Sequence, residues 1–287
     1  MKRELIDEVN VLLLKKGFTV KNLTGNSFDI LARKSEDVLM VKILENANSI
    51  SHENANEMKN TASYFSAVPL IIANFAGERI EDNIVYSRFG LNTINLQTLS
   101  LCLDRILPFV RSTKAGPAAQ LSAERLRCCR EENSMSLAEL SQRVGVSRRM
   151  VARYEAGDCE ITLDRAVRVH DILGEGVFEK IDLLRFGYES VSSYRSTEAQ
   201  KYVELGFSAL EPKRMPFDII SKRGPEIILT DIGDRYLDQT LSLSKLLDAK
   251  SLVIFEKRKP KDVPSVKREE FLDFGSASEL IKFLKDF

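Results

Sequence analysis

The order of apolar and polar positions divides the chain into stretches of different period. Residues 4–16 carry apolar side chains at helical spacing among charges, which predicts an amphipathic helix, and Gly17 ends it. A strand is expected after Gly17. Two apolar runs, 28–33 and 38–44, separated by a polar turn, predict two more strands. A polar helix around 53–65, a strand at PLIIANF and a helix near 96–106 complete the stretch. That alternation is the pattern of an α/β domain. Turn-forming and small residues interrupt the periodicity twice, at RSTKAGPAAQ (111–120) and at ESVSSYRS (189–196), so three domains are expected: 1–112, 120–184 and 192–287.

The third stretch repeats the first. A shift of 189 residues places Gly17 and Phe18 on Gly206 and Phe207, Phe28, Asp29 and Ile30 on Phe217, Asp218 and Ile219, and Ile43 on Ile232. Six identities fall in 27 ungapped columns, against roughly two expected at average composition. In both copies a helix precedes Gly-Phe, an FDI strand follows, then a charged turn (RKSED, KRGPE) and a second apolar strand (VLMVKI, IILTDI). PLIIANF finds a counterpart in SLVIFEK, and NLQTLSLCL in SASELIKFL. A duplicated α/β domain with the middle segment inserted between the copies is expected, the copies pairing about a pseudo-twofold axis.

The middle segment is all helical in pattern. Residues 122–132 read as one helix. SLAELSQRVG opens a second at Ser136, with Glu139 three residues on completing a capping box. Gly145 then stands where a tight interhelical turn needs positive φ. Ser147 caps a third helix, RRMVARYEAG, closed by Gly157, and residues 163–173 give a fourth, with Leu163, Ala166, Val167, Val169 and Leu173 available for burial.

Charge adds little globally: 42 basic and 42 acidic residues balance, so any affinity for nucleic acid must come from local clustering. Such a cluster exists. Residues 121–173 balance nine Arg against nine acidic residues, but 148–153 carries three Arg and no acid. No apolar stretch reaches membrane-spanning length, and the acidic residues Glu4, Asp7 and Glu8 disqualify the amino terminus as a signal peptide, so a cytoplasmic protein without membrane contact is expected. Cys102, Cys128, Cys129 and Cys159 form no C-x-x-C pair and are expected to be buried small hydrophobes. With only His52 and His170 besides, no metal site and no cofactor are expected.

Leu126, Arg130, Leu137, Ala138, Leu140, Gly145, Val146, Ser147, Val151, Tyr154, Glu155 and Gly157 make residues 121–173 resemble the phage repressor and Cro family of helix-turn-helix domains. The resemblance implies that the helix after the turn enters the major groove, with Arg148, Arg149 and Arg153 at base edges and Ser147 and Arg143 on phosphates. Arginine bonds guanine through two parallel donors, so a guanine-containing half-site follows. Arg130 and Glu155 are implied to pair between helices and not to touch DNA. The family's phosphate-binding glutamine is here Leu137.

The first α/β copy resembles the restriction-endonuclease and archaeal Holliday-junction resolvase core. Asp29 and Lys42 fit its skeleton and Glu8 the helix carboxylate, but the position of the metal-binding acid is Met40, which compromises a divalent-cation site. In the second copy Asp218 remains, while Leu229 and Asp231 replace the acid and the lysine. Asp29 and Asp218 are therefore expected to bond nearby backbone N–H groups, and no catalytic residue is assigned. The order of domains is similar to that of the archaeal HTH-type transcriptional regulatory proteins. The fold class expected is multidomain α/β plus all-α, two related nuclease-like domains flanking a repressor-like helical one. The function expected is that of a homodimeric, sequence-specific regulator of transcription on double-stranded DNA. The competing reading is a structure-selective nuclease or an inactive branched-DNA-binding protein.

Overall fold

The computed structural model describes residues 2–23, 27–185, 191–233, 237–256, 259–260 and 263–286. The chain opens with α1 (Lys2–Lys15), β1 (Thr19–Asn22), β2 (Ile30–Lys34), β3 (Asp37–Asn46), α2 (His52–Phe65) and β4 (Val68–Ala76). Leu5, Val9 and Leu13 are the buried stripe of α1. Gly17 (φ 82°) stops that helix in a Schellman motif: its N–H bonds Leu14 O at 3.0 Å and the Phe18 N–H bonds Leu13 O at 3.0 Å. An L side chain would be strained at that φ, which is why glycine stands there.

Strands β5 (Glu78–Arg79), β6 (Ile84–Arg88) and β7 (Leu91–Ile94), helix α3 (Leu96–Leu103) and strands β8 (Val110–Thr113) and β9 (Gly116–Ala119) come next. The helical segment comprises α4 (Ala123–Glu132), α5 (Leu137–Val144), α6 (Arg148–Glu155), the short β10 (Ile161–Thr162) and α7 (Leu163–Leu173). A last run contains α8 (Thr197–Glu204), β11 (Ser208–Leu210), β12 (Ile219–Arg223), β13 (Glu226–Ile232), α9 (Leu237–Leu247), β14 (Lys250–Phe255), β15 (Ser265–Lys267), α10 (Arg268–Asp273) and α11 (Ala277–Lys285).

Contacts group these elements into two compact units. One joins Met1–Leu44, Ser49–Ile71 and Leu184–Phe287; the other joins Glu45–Asn48 and Ile72–Leu183. These groupings cut across the sequence breaks, because β4 runs from the first unit into the second and because RSTKAGPAAQ is not a linker. It forms the antiparallel hairpin of β8 and β9, with Val110 opposite Ala119 and Thr113 opposite Gly116. Gly and Pro marked a tight turn there, and alternation over four-residue strands was too short to register. Part of the second break, Glu189 and Ser190, lies outside the described residues, as do Lys257 of SLVIFEK and columns 24–26 of the repeat.

In the first unit the opening and closing runs have the same order of elements. Both go helix, three strands, helix, strand, with strand orders β1-β2-β3-β4 and β11-β12-β13-β14-β15. The Schellman motif recurs at Gly206 (φ 84°), whose N–H bonds Val203 O at 2.9 Å while the Phe207 N–H bonds Tyr202 O at 3.0 Å. The two runs also grip one another reciprocally. Helix α2 packs on β12, and α9 packs on β1 and β2. Arg33 Nη1 donates to Leu246 O at the end of α9 (3.2 Å), and Lys222 Nζ donates to Ser63 O at the end of α2 (2.9 Å). Arg33 and Lys222 stand 189 positions apart, and each places a cation at the negative end of the other run's helix. Phe65 and Phe217 meet edge to face, centroids 6.2 Å apart.

The second unit has strand order β7-β6-β8-β9-β10. Its core is continuous from the strands into the helices: Ile84, Val110 and Ala119 pack in one cluster with Leu126, Leu140, Val144, Val151, Tyr154, Ile161, Ala166 and Val169. Phe109 and Phe178 stack at 4.5 Å. Two expectations about burial need correction. Val167 is 51% exposed, because it lies on the outer face of α7. Of the four cysteines only Cys102 is buried; Cys128 is exposed, and Cys129 and Cys159 are intermediate.

Candidate nucleic-acid interface

Local chemistry builds the four helices. At the start of α5 the Ser136 hydroxyl accepts the Glu139 N–H (3.2 Å) while the Glu139 carboxylate accepts the Ser136 N–H (2.7 Å), a closed capping box. Gly145 (φ 79°) ends α5. The guanidinium of Arg168 crosses that turn to bond Val144 O at 3.2 Å, and a Cβ on Gly145 would collide with it. Arg168 was not singled out from the sequence, since its role depends on α7 folding back over the turn. The Ser147 hydroxyl accepts the Met150 N–H at 3.2 Å and so caps α6.

Between the helices, Arg130 of α4 and Glu155 of α6 form a bidentate pair. Arg130 Nη2 reaches Glu155 Oε2 at 3.1 Å, Nε reaches the other oxygen, and Nη1 donates to Met135 O at 2.8 Å. Their side chains are 10% and 11% exposed. Such a pair fixes the angle between two helices more than it adds net stability, but loss of one partner strands a charge. Tyr154 and Val151 are the buried side of α6. Its other side carries Arg148, Arg149 and Arg153, all exposed, and Arg143 is exposed at the end of α5. The side chains of Arg148, Arg149 and Arg153 have no hydrogen bond or ion pair among the described residues. Leu137, which stands where the resemblance would place a phosphate-binding glutamine, packs partly buried against the core cluster.

The first unit holds the other candidate, and there the charges are spent internally. Asp29 is 3% exposed; its Oδ2 accepts the Ile43 N–H at 2.8 Å and lies 3.4 Å from Lys42 Nζ, and its Oδ1 lies 3.0 Å from Lys2 Nζ. Burial pushes the Lys42 ammonium below its ordinary pKa, against the opposing pull of Asp29, with Lys2 and Arg214 pushing the same way as burial. The donor set does not fit a divalent cation. Met40 supplies no oxygen, Lys2 holds one carboxylate oxygen, and no cluster of three acidic, histidine or cysteine side chains occurs among the described residues. Glu8 is exposed on α1 and joins no such cluster with Asp29 among the described residues, whereas Lys2 of the same helix pairs with that aspartate. In the second run Asp218 Oδ2 accepts the Ile232 N–H at 2.7 Å, and the Asp218 N–H bonds Thr230 O at 2.9 Å, as the Asp29 N–H bonds Val41 O at 2.9 Å. The strand-end role expected for both aspartates is what the bonds show.

Residues 2–108 match the PD-(D/E)XK superfamily domain and residues 126–179 match the helix-turn-helix family. Over 98% of this chain and 97% of its own length, a protein of Archaeoglobus fulgidus named "Putative HTH-type transcriptional regulatory protein" is 33% identical. A protein of that type from Thermococcus kodakarensis is 31% identical over 99% of this chain and 96% of its own, and one from Thermococcus gammatolerans is 28% identical over 99% and 97%. No solved structure matches the chain.

Proposed function

Because the chain belongs to the archaeal family of HTH-type transcriptional regulatory proteins, we propose that it binds double-stranded DNA and regulates transcription, reading a major-groove half-site with α6. The observation that carries this reading is the unspent charge of α6: Arg148, Arg149 and Arg153 face solvent without hydrogen-bond or ion-pair partners among the described residues, whereas Glu155 of the same helix is paired with Arg130. Arg148 and Arg149 lie on the first turn, where that motif meets base edges, while Arg143 and the free N–H groups beside Ser147 suit phosphate oxygens. One helix-turn-helix per chain reads one half-site. A homodimer on a palindromic operator is therefore part of the proposal, and a monomer by sedimentation at micromolar concentration, with and without DNA, would refute it.

The α/β runs are read as a duplicated pair that has left nuclease chemistry. The reciprocal Arg33 and Lys222 bonds and the matched Asp29 and Asp218 bonds support duplication; the missing acid at Met40 and the ammonium of Lys2 on Asp29 support a core kept for its shape. The superfamily match over residues 2–108 keeps nuclease activity as the rival reading.

One experiment separates them: selection from a random-duplex library at fixed salt, in magnesium buffer, with products checked for strand breaks. Enrichment of a palindromic, guanine-containing site without cutting is expected. Magnesium-dependent cleavage that Asp29→Ala abolishes would replace the regulator with the enzyme.

A further inference from the structure

A hollow of about 520 Å³ in the second unit has a composition unlike its neighbours. It is lined by Arg88 and Lys114 and by no carboxylate, whereas the hollow beside Phe109 includes Glu160, Glu179 and Asp182 in its wall. Two of its lining residues carry buried polar atoms without a hydrogen-bond partner among the described residues, Arg88 Nε and Thr93 Oγ1. Thr93 is only 1% exposed. Buried polar atoms are ordinarily paired, and two orphans at one cavity mark a place where a partner is missing from the protein itself. Arg88 lies over the Phe89 ring, 4.8 Å to its centroid, which braces the guanidinium without neutralising it. Ser87 and Ser112 add hydroxyls with no partner among the described residues, and Asn48 adds an amide.

Two cations, several free hydroxyl donors and space for a small metabolite suit one class of ligand: a phosphorylated polyol, its phosphate on Arg88 and Lys114 and its hydroxyls on the serines and Thr93. We infer that this hollow is an effector site for a small sugar phosphate; the word effector rests on the regulator reading, the binding site does not. The strand ladder gives it a route to the DNA-reading helices. Strand β6, which carries Ser87 and Arg88, pairs with β8, β8 with β9, and β9 with β10, where Thr162 lies opposite Ala118 and stands at the N-cap of α7. Occupancy that shifts β8 is thus transmitted along hydrogen-bonded strands to the helix whose Arg168 closes the turn before α6.

The test uses the full-length protein without DNA, with ribose 5-phosphate, inorganic phosphate and ribose as separate probes in calorimetric titration. Saturable binding of ribose 5-phosphate is expected, weaker binding of phosphate, and none of ribose. Arg88→Met and Lys114→Met should each weaken it by ~10-fold or more. Thr93→Val removes the orphan hydroxyl without removing volume, so it should fold at least as stably while losing affinity, which guards against a variant that merely unfolds. Absence of saturable binding of both phosphate-bearing probes up to ~10 mM, or binding indifferent to all three substitutions, would overturn the site. A loss of duplex affinity in Arg88→Met/Lys114→Met in anion-free buffer would also overturn it, by making the hollow part of the DNA track. Sugar-phosphate binding with no DNA site enriched would instead sink the regulator and leave the pocket standing.

Discussion

Asp29 in the first α/β run and Arg148 and Arg149 at the start of α6 are the charged residues on which the nuclease and the regulator readings turn, and the fold treats them in opposite ways. Asp29 is buried and fully engaged by Lys2, Lys42 and the Ile43 N–H. The arginines are exposed and engaged by nothing among the described residues. A charge neutralised inside the protein holds structure together, and a charge left over is available to a ligand. The comparison also explains why Asp218 survives without Lys42's counterpart: the bond from the Ile232 N–H, not metal chemistry, is what the position supplies.

The sharpest way to break the comparison is at α6. Arg148→Ala/Arg149→Ala should abolish selection of the guanine-containing half-site, since two bidentate contacts contribute roughly 2–6 kcal/mol together, about 30-fold in affinity at the least; fluorescence anisotropy on the selected duplex checks it, and a loss confined to a few-fold would reduce the arginines to phosphate contacts. Next in size is Glu155→Ala. It leaves the nearly buried Arg130 with only the exposed Glu131 carboxylate, 3.2 Å from Nη2, and should cost about 3 kcal/mol, read as a lower Tm of the second unit, whereas Arg153→Ala on the exposed side should leave Tm unchanged. Gly145→Ala should follow at roughly 1–2 kcal/mol from its left-handed φ, with more if Arg168 is displaced from Val144 O.

Asp29→Asn sharpens the other side of the comparison. Its cost should be about 1–3 kcal/mol, the penalty of a broken buried hydrogen-bond set. Removing the carboxylate also removes the influence that holds up the Lys42 pKa, which burial already lowers, so it should fall further. A lysine whose folded pKa is depressed binds fewer protons in the native state. The variant's deficit should therefore be full at neutral pH and shrink as pH rises through the lowered value toward the ordinary ~10.4; denaturant titrations at several pH values test it, and a deficit independent of pH would detach Lys42 from Asp29. The last expectation concerns a labelling rate and neither stability nor affinity. Burial, aided by the Asp182 charge, pushes the Cys102 thiol up to about 11, so at pH 8 its alkylation should lag that of exposed Cys128 by more than ~100-fold; equal labelling by mass spectrometry would contradict the burial.

Much of this architecture was legible in residue order because it rests on local rules. Ser136 and Glu139 cap α5 wherever that helix sits, Gly145 and Gly17 mark backbone that other residues avoid, and the period of the apolar residues announces α1, α4 and α7. The recurrence of Gly-Phe and FDI at a spacing of 189 was legible because matching residues need no fold to be seen. The short strands β6, β7, β8 and β9 escaped, since four or five residues carry too little periodicity to separate a hairpin from a linker.

Sequence by itself determined the helical segment, the positions of its caps and turn, and which arginines stand together on α6, all from interactions within a few residues. Tertiary structure decided the rest. Lys2 reaches Asp29 across 27 residues, Arg33 and Lys222 each cap the other run's helix across more than 150, and Thr93 of β7 and Lys114 of the turn between β8 and β9 come to one hollow. Such pairings depend on where the backbone turns back upon itself, and contacts between residues distant in the chain leave no periodic trace from which to read them.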